Sequence, residues 1–361
     1  MKITGIELAN FRNHKHFVCK DIGSVFIIVG DNASGKTNII EALQLLSMHE
    51  SFRRPKNEEL LYNSRKKGEP SFISIEATSS DITHTKQIRF EEGNRVFFYN
   101  KKERPAKDIL DTIPAVLFTP DDLQIVKGPP EQRRDMIDSL GARISLTFSH
   151  IRNEYKKAIR HKNSFLKQEE IDVTLLDSWN INIARLGSSL KKHRLGLFNQ
   201  LIKTACTAYE KISGGEQLQG HYHAQWEEDY PGMDLFEIFS LQRDEEIAAK
   251  RSLIGPHKDD ILFAIDGQDA RRFASQGQQR SLALSLKIAE VETLKRLGGK
   301  APLLLLDDVM SELDTQRRRY FIDLIEKSTQ TVITTTNLGY FDTEFLKRAT
   351  IMELGATAGA E

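Results

Sequence analysis

The sequence predicts an α/β protein of two lobes, one built on a mixed sheet and the other helical with a short helical arm. Three observations predict this. The apolar run at residues 25–29 passes through Gly30-Asp31-Asn32-Ala33-Ser34-Gly35-Lys36-Thr37 into residues with helical spacing, Ile39, Ile40, Leu43 and Leu46. Far downstream, four leucines at 303–306 end in Asp307-Asp308. Between these two places, residues 131–212 keep a helical pattern with one break.

The elements follow in order. Residues 3–8, 17–20 and 25–29 read as strands. The helix after the glycine loop is expected to run to about Met48. A polar, basic tract covers 49–70 and holds Arg53, Arg54, Lys56, Arg65, Lys66 and Lys67. Strands are expected at 72–77, 82–90 and 95–99, with Glu92-Gly93-Asn94 as the hairpin turn between the last two. Residues 115–118 form a short buried strand stopped by Thr119-Pro120. The helical stretch breaks near Ile171-Asp172, giving arms at 143–167 and 175–212. Strands return at 218–223 and 261–265, then a helix at 277–297, a strand at 303–306, a helix at 316–327 and a strand at 331–335. The lobes are expected at 1–130 with 300–361, and at 131–299.

Composition sets bounds. The chain has 361 residues, 39% hydrophobic and 28% charged, which supports a buried core and argues against disorder. Lysine plus arginine equals aspartate plus glutamate at 51 each, so net charge offers no argument for nucleic acid, although a local basic face is compatible with it. The two cysteines, Cys19 and Cys206, are far apart and suggest neither a disulfide framework nor a zinc site. No apolar run approaches the roughly 20 residues of a membrane helix, and the N-terminus alternates like a strand. A cytoplasmic protein without a membrane partner is expected.

The glycine loop matches G-x-x-x-x-G-K-[ST] in its strand–loop–helix context. Gly30 and Gly35 let the backbone turn its N–H groups inward onto phosphate oxygens. The helix opening at Gly35-Lys36 points its positive end at the same place. Residues 30–37, with Asn38 in the first helical turn, are therefore the expected cradle for ATP. Lys36 would reach the β- and γ-phosphates, and Thr37 would hold Mg2+. Asp307, at the end of the leucine strand, is the second expected metal partner, and Asp308 is expected to orient or deprotonate the attacking water.

Two further strings narrow the class. Ser275-Gln276-Gly277-Gln278-Gln279-Arg280 precedes a helix, with Ser275 placed as N-cap, so Ser275, Gly277 and Gln278 form a second phosphate-suited helix start. Ser311-Glu312-Leu313-Asp314 follows the paired acids. This order resembles that of ABC-type ATPases, in which the signature of one subunit caps ATP on another. About 270 residues separate Lys36 from Asp307, more than in a transport subunit, and the insertion is far shorter than the coiled coil of an SMC protein.

Over nearly its whole length the chain resembles the RecF family of bacterial recombination mediator ATPases. The matching strings are Leu8-Ala9-Asn10-Phe11-Arg12-Asn13, the loop 30–37, Ser51-Phe52-Arg53, Phe118-Thr119-Pro120-Asp121-Asp122-Leu123 through to Arg133-Arg134, Gly255-Pro256-His257-Lys258-Asp259-Asp260, and the two ATPase strings above. The resemblance implies an ABC-type head with a helical lobe and an ATP-dependent homodimer. It also implies binding to duplex DNA near single-strand gaps, and work with RecR and RecO in loading RecA. By resemblance, Arg12 and Asn13 contact the nucleotide; Asn13 as a plain turn residue is the alternative. Two departures stand out. Asp308 replaces the glutamate of transporters and SMC proteins, so slow hydrolysis is expected, and no histidine lies near Thr336-Asn337, where transporters carry a switch histidine.

For DNA, the loop cations Arg53, Arg54 and Lys56 are the expected contacts. Two other basic clusters are Arg152, Lys156, Lys157, Arg160, Lys162 and Lys167, and Lys191-Lys192-His193-Arg194. Either is equally well read as a solvated helix face. None carries interleaved aromatics, so duplex backbone contact fits better than a stacking groove. His257 is open between a structural role and one at an interface or nucleotide. A P-loop kinase, an OLD-type nuclease and a transport subunit are the competing readings. The kinase has no use for residues 275–280, the nuclease would add an acidic metal domain after Leu354, and the transport subunit would need a shorter insertion.

Overall fold

The computed structural model describes residues 1–66, 68–109, 113–327 and 330–355; Lys67 of the basic tract and the last residues of the expected first lobe lie outside them. The chain folds as two units, Met1–Asp122 with Gly299–Glu361, and Leu123–Gly298.

The first unit opens with strands β1 (Lys2–Phe11), β2 (His14–Lys20) and β3 (Val25–Gly30), then helix α1 (Lys36–Met48). Next come β4 (Phe72–Ser79), β5 (Ile82–Glu91), β6 (Asn94–Tyr99), β7 (Lys102–Glu103), the short α2 (Ala106–Ile109) and β8 (Ala115–Phe118). The second unit holds α3 (Pro130–Ile144), α4 (Leu146–Phe165), α5 (Val173–Ser213), β9 (Leu218–His223), α6 (Gln225–Asp229), α7 (Leu235–Leu241) and α8 (Arg243–Ala249). It ends with β10 (Asp260–Ile265), β11 (Gln268–Asp269), α9 (Ala270–Phe273) and α10 (Gln276–Gly298). The chain then returns to the first unit as β12 (Leu303–Asp307), α11 (Thr315–Lys327), β13 (Gln330–Thr335), α12 (Thr343–Lys347) and β14 (Ala349–Leu354).

The expected α/β head with a helical lobe is what forms. The head strands sort by hydrophobic pattern into two sheets. β3 and β12 are apolar runs, β13 is buried along its whole length, and the three join β14 and β8 in a parallel sheet of order β14-β3-β13-β12-β8. The others form an antiparallel sheet of order β2-β1-β4-β5-β6-β7. α1 is buried between contributions from both, with Ile39, Ile40, Leu43 and Leu46 packed against Leu8, Ile73, Ile88 and Leu305 in one core. Both ends of the head are tied by Gln330. Its Oε1 accepts the Ile3 N–H at 2.7 Å, and its Nε2 donates to the carbonyls of Ile3 at 2.7 Å and Gly23 at 2.8 Å.

In the second unit, α5 runs 41 residues, from the Asp172 cap to Gly214 in the left-handed conformation. At 1.5 Å per residue that is about 60 Å, and α4 packs back along it as the short arm. Gly255, Pro256, Asp259 and Asp260 of the Gly255–Asp260 string are buried in this unit, His257 is half-buried and Lys258 is exposed. Arg133 pairs with Asp260 through Nε and Nη2 at 2.7 and 2.9 Å. Arg194 does the same with Asp138 and also donates to the Pro256 carbonyl at 2.6 Å. Asp259 accepts from the Tyr222 hydroxyl at 2.5 Å and Trp226 Nε1 at 3.1 Å.

His257, half-buried, joins the same network. The buried Tyr155 hydroxyl lies 2.8 Å from its Nδ1. Burial, aided by the neighbouring Lys258 charge, lowers its pKa from 6.5 to about 4. Between those values the unfolded chain binds the extra proton, so stability rises with pH and is lost on acidification from about 6.5 to about 4. The full contribution is roughly 3 kcal/mol. His257→Gln is expected to flatten this part of the stability–pH curve, measured by urea unfolding across that window. An unchanged slope would show that His257 does not fold neutral.

Candidate functional site

The phosphate loop is shaped by contacts that only glycine permits. Gly35 has a φ of 101°, and a Cβ there would meet the Asn13 amide at 2.6 Å and His14 Nε2 at 2.7 Å. At Gly30 a Cβ would stand 2.7 Å from the Leu354 carbonyl oxygen and 2.9 Å from Ser34 Oγ. Asp31, Asn32 and Ala33 are exposed at the tip, and Ala33 takes the left-handed conformation, φ 65°. Lys36 is buried and folds back over the loop, donating to the carbonyls of Gly30 and Asp31 at 2.7 Å each. The buried Ser34 hydroxyl finds no protein partner.

The parallel sheet brings Thr37 and Asp307 together across 270 residues. Thr37 Oγ1 donates to Asp307 Oδ1 at 2.9 Å, and Thr334 Oγ1 donates to the same oxygen at 2.7 Å. Thr334 is the register partner of Asp307 on β13, and its hydroxyl also accepts the Asp308 N–H at 3.0 Å. Asp308 itself sits in the left-handed region, φ 52°. Its Oδ1 is buried without a protein partner. Burial raises its pKa above the ordinary aspartate value, the Lys36 charge opposes this, and Asp307 and Glu312 add to it. Ser311 Oγ donates to the Asp308 carbonyl at 2.8 Å, and Asp314 caps α11 by accepting the Arg317 N–H. At the switch position, Asn337 spends its side chain on its own turn, accepting the Gly339 N–H at 2.7 Å.

Behind the loop lies a network centred on Glu41, which the sequence reading missed. Its carboxylate is fully buried on α1 and takes Arg12 through two bonds at 2.8 and 2.9 Å, Arg53 at 3.4 Å, and the Ser51 hydroxyl. Arg53 also donates to Asn38 Oδ1 at 2.8 Å, and Asn38 Nδ2 to Asn13 Oδ1 at 2.7 Å. Arg12, Asn13, Asn38 and Arg53 are thus one chain of contacts beside Gly35. Arg53, Arg54 and Lys56 are all exposed. A buried acid inside the apolar stretch 39–47 was the available signal for Glu41; Thr334 needed the strand register.

In the second unit, Ser275 caps α10. Its Oγ accepts the Gln278 N–H at 3.2 Å, and the Gln278 side chain accepts the Ser275 N–H at 2.9 Å. Gln278 Nε2 then donates to Glu216 at 3.0 Å, while Ser275 stays exposed and Gly277 half-buried. The basic clusters need correction. Lys162 is fully buried, pairs with Glu246 at 2.5 Å and lies 4.1 Å over the Phe239 ring. Arg194 is buried against Asp138. Neither is a surface cation, because each sits on the packed face of its helix.

A strand–loop–helix cradle and a carboxylate from another strand of the same parallel sheet, with a capped helix start in the second unit, are the features of a P-loop ATPase of the ABC-head class. The chain matches the RecF/RecN/SMC N-terminal domain family over residues 2–352. It is 35% identical to the DNA replication and repair protein RecF of a Cyanothece strain, over 98% of this chain and 96% of that one. It is 33% identical to the RecF of Bacillus subtilis, over 97% of each. The chain belongs to the RecF family. Among solved structures, the recombination mediator protein RecF with ATP, of the RecFOR pathway, superimposes with a TM-score of 0.84 at 31% identity, covering 94% of this chain and 93% of that one. An Smc head bound to the C-terminal winged-helix domain of ScpA shares the fold, with a TM-score of 0.58 at 17% identity. Among the described residues no helix is long and apolar enough to cross a membrane.

Proposed function

We propose that this chain is an ATP-gated DNA-binding protein of recombinational repair. ATP joins two copies, the dimer holds duplex DNA near single-strand gaps, and slow hydrolysis releases it. RecO and RecR are the proposed partners in loading RecA. The observation that carries the reading is the Thr37–Asp307 pair closing beside the loop, together with the RecF–ATP structure that the chain resembles.

The roles follow from the chemistry. Loop N–H groups of residues 30–37 and the start of α1 bind phosphate oxygens. Lys36, now held by two loop carbonyls, has the reach and charge for the β- and γ-phosphates. Thr37 and Asp307 are hard oxygen donors and fit Mg2+. When bound, that ion supplies charge neutralisation at the phosphates. Asp308 takes the water-orienting role, Arg12, Asn13 and Asn38 flank the nucleotide, and Ser275, Gly277 and Gln278 cap the ATP of a second copy. Arg53, Arg54 and Lys56 contact the DNA backbone, and Arg53 does so from a position tied to Asn38 and Glu41.

Binding to gapped duplex DNA with ATP, with ADP and with no nucleotide tests this. Binding is expected with ATP alone, together with a dimer-sized species, and Lys36→Arg is expected to lose both. Arg53→Ala/Arg54→Ala is expected to weaken binding and to lower the salt slope by about two, one per lost phosphate contact. Nucleotide-independent binding would move the enzyme alternative forward, and an unchanged salt slope would remove the loop from the DNA site.

A further inference from the structure

We propose that His221, His223 and Glu228 form a binding site for a divalent transition-metal ion, with Zn2+ the best fit. β9 lies at the edge of the three-stranded sheet β11-β10-β9. Its alternation buries Leu218 and Tyr222 and leaves His221 and His223 together on the outer face. Ala224 then turns the chain into α6, which brings Glu228 back over His223. One ligand atom from each of the three side chains lies within 4.8 Å of the others. Tetrahedral zinc, with bonds of about 2.0–2.1 Å, holds its ligand atoms roughly 3.4 Å apart. Side-chain rotation alone closes that difference, and His223 Nδ1 already stands 3.0 Å from Glu228 Oε1.

The hydrogen bonds around His223 make a second, separate argument. Gln225 Nε2 donates to Asp229 Oδ1 at 2.7 Å, which turns Gln225 Oε1 toward His223 Nε2 at 2.9 Å. An amide oxygen only accepts, so Nε2 carries the ring proton. Nδ1 then faces the Glu228 carboxylate, and a cation, either a proton or a metal ion, sits between the two. Metal-bound histidines are oriented in this way, with the far nitrogen donating to an oxygen. Lys191 does not fill the need, because its ammonium pairs with Glu227 at 2.6 Å. Two imidazoles and one carboxylate favour Zn2+, Co2+, Ni2+ or Cu2+ over Mg2+, so this site and the Thr37–Asp307 pair draw on different ions. With His221 exposed, a fourth position stays open to water. The ion would clip the edge strand to α6.

Calorimetric titration of chelator-treated full chain with ZnCl2, without nucleotide, tests the proposal. One equivalent is expected to bind and to raise the melting temperature. His221→Ala/His223→Ala is expected to lose that equivalent, and Gln225→Met to weaken it about ten- to a hundredfold. Glu228→Gln, at an exposed position, gives a weakened site even if the double variant folds poorly. No zinc bound by the wild-type chain would overturn the proposal and leave a proton as the cation between His223 and Glu228. Undiminished binding by the double variant or by Glu228→Gln would overturn it by placing the ion on others of the ten histidines.

Discussion

Replacing Ser275 with arginine is expected to abolish the ATP-dependent dimer and DNA binding together while leaving the monomer folded. Ser275 is exposed, and its contacts are the reciprocal cap with Gln278. Losing such a cap costs about 1 kcal/mol, too little to unfold a 23-residue helix with a largely buried inner face. The large effect comes from position. A helix start with a small side chain can approach a phosphate, and on the proposed reading an arginine there fills the space that the γ-phosphate of a second copy enters. A loss of at least tenfold in DNA affinity with ATP, about 1.4 kcal/mol or more, is expected, alongside a melting temperature within a few degrees of wild type. Light scattering coupled to size exclusion reads the dimer directly. A dimer that persists would remove α10 from the ATP contact.

Asp308→Asn is expected to do the reverse: hydrolysis falls and the bound state persists. The asparagine keeps the shape and the backbone contacts to Thr334 but cannot take a proton. General-base loss costs about 10²- to 10⁴-fold. ATP binding and the DNA complex should survive, with slower release. The wild-type rate is itself expected to lie below about 10 per second, the middle of the enzyme range, because aspartate reaches one methylene less than glutamate. Since burial raises the Asp308 pKa, the acid limb of the rate profile should lie above the ordinary aspartate range. Single-turnover hydrolysis over pH separates these points. Wild-type rates in Asp308→Asn would pass the role to another group.

The strand, glycine loop and helix at residues 25–48 were legible because their signal is local. Strand, loop and helix fall within about 25 consecutive residues, and each glycine has a backbone reason that sequence can state. Thr334 was not legible, because its role depends on which residue of β13 stands beside Asp307. Glu41 was hidden for a similar reason: Arg12 and Arg53 reach it from opposite sides in sequence. β14 escaped because only its partner β3, more than 300 residues earlier, makes Ala349–Leu354 a strand. The short helices α6 to α8 lie in an acidic stretch with no long apolar period; the Asp234–Glu237 capping box starting α7 was the available sign. Lys162 and Arg194 were counted with the surface cations because charge was tallied without phase. Lys162 shares its helix face with Ala158 and Ile159, and Arg194 with Leu190 and Leu197.

The Gln330 clasp on Ile3 and Gly23 has a consequence for biosynthesis. Its two ends are separated by 327 residues, so β1 to β3 leave the ribosome long before the strands that flank β3 exist. At about 5–20 residues per second the wait is on the order of tens of seconds. Throughout it the nascent β3 has neither β13 nor β14 to pair with, while the whole of the second unit is made and has time to fold. The parallel sheet of the head is completed only when the C-terminal strands have been made. A translation product cut before β13 lacks both strands that pair with β3, and leaves the strand before the glycine loop with unpaired backbone on both edges.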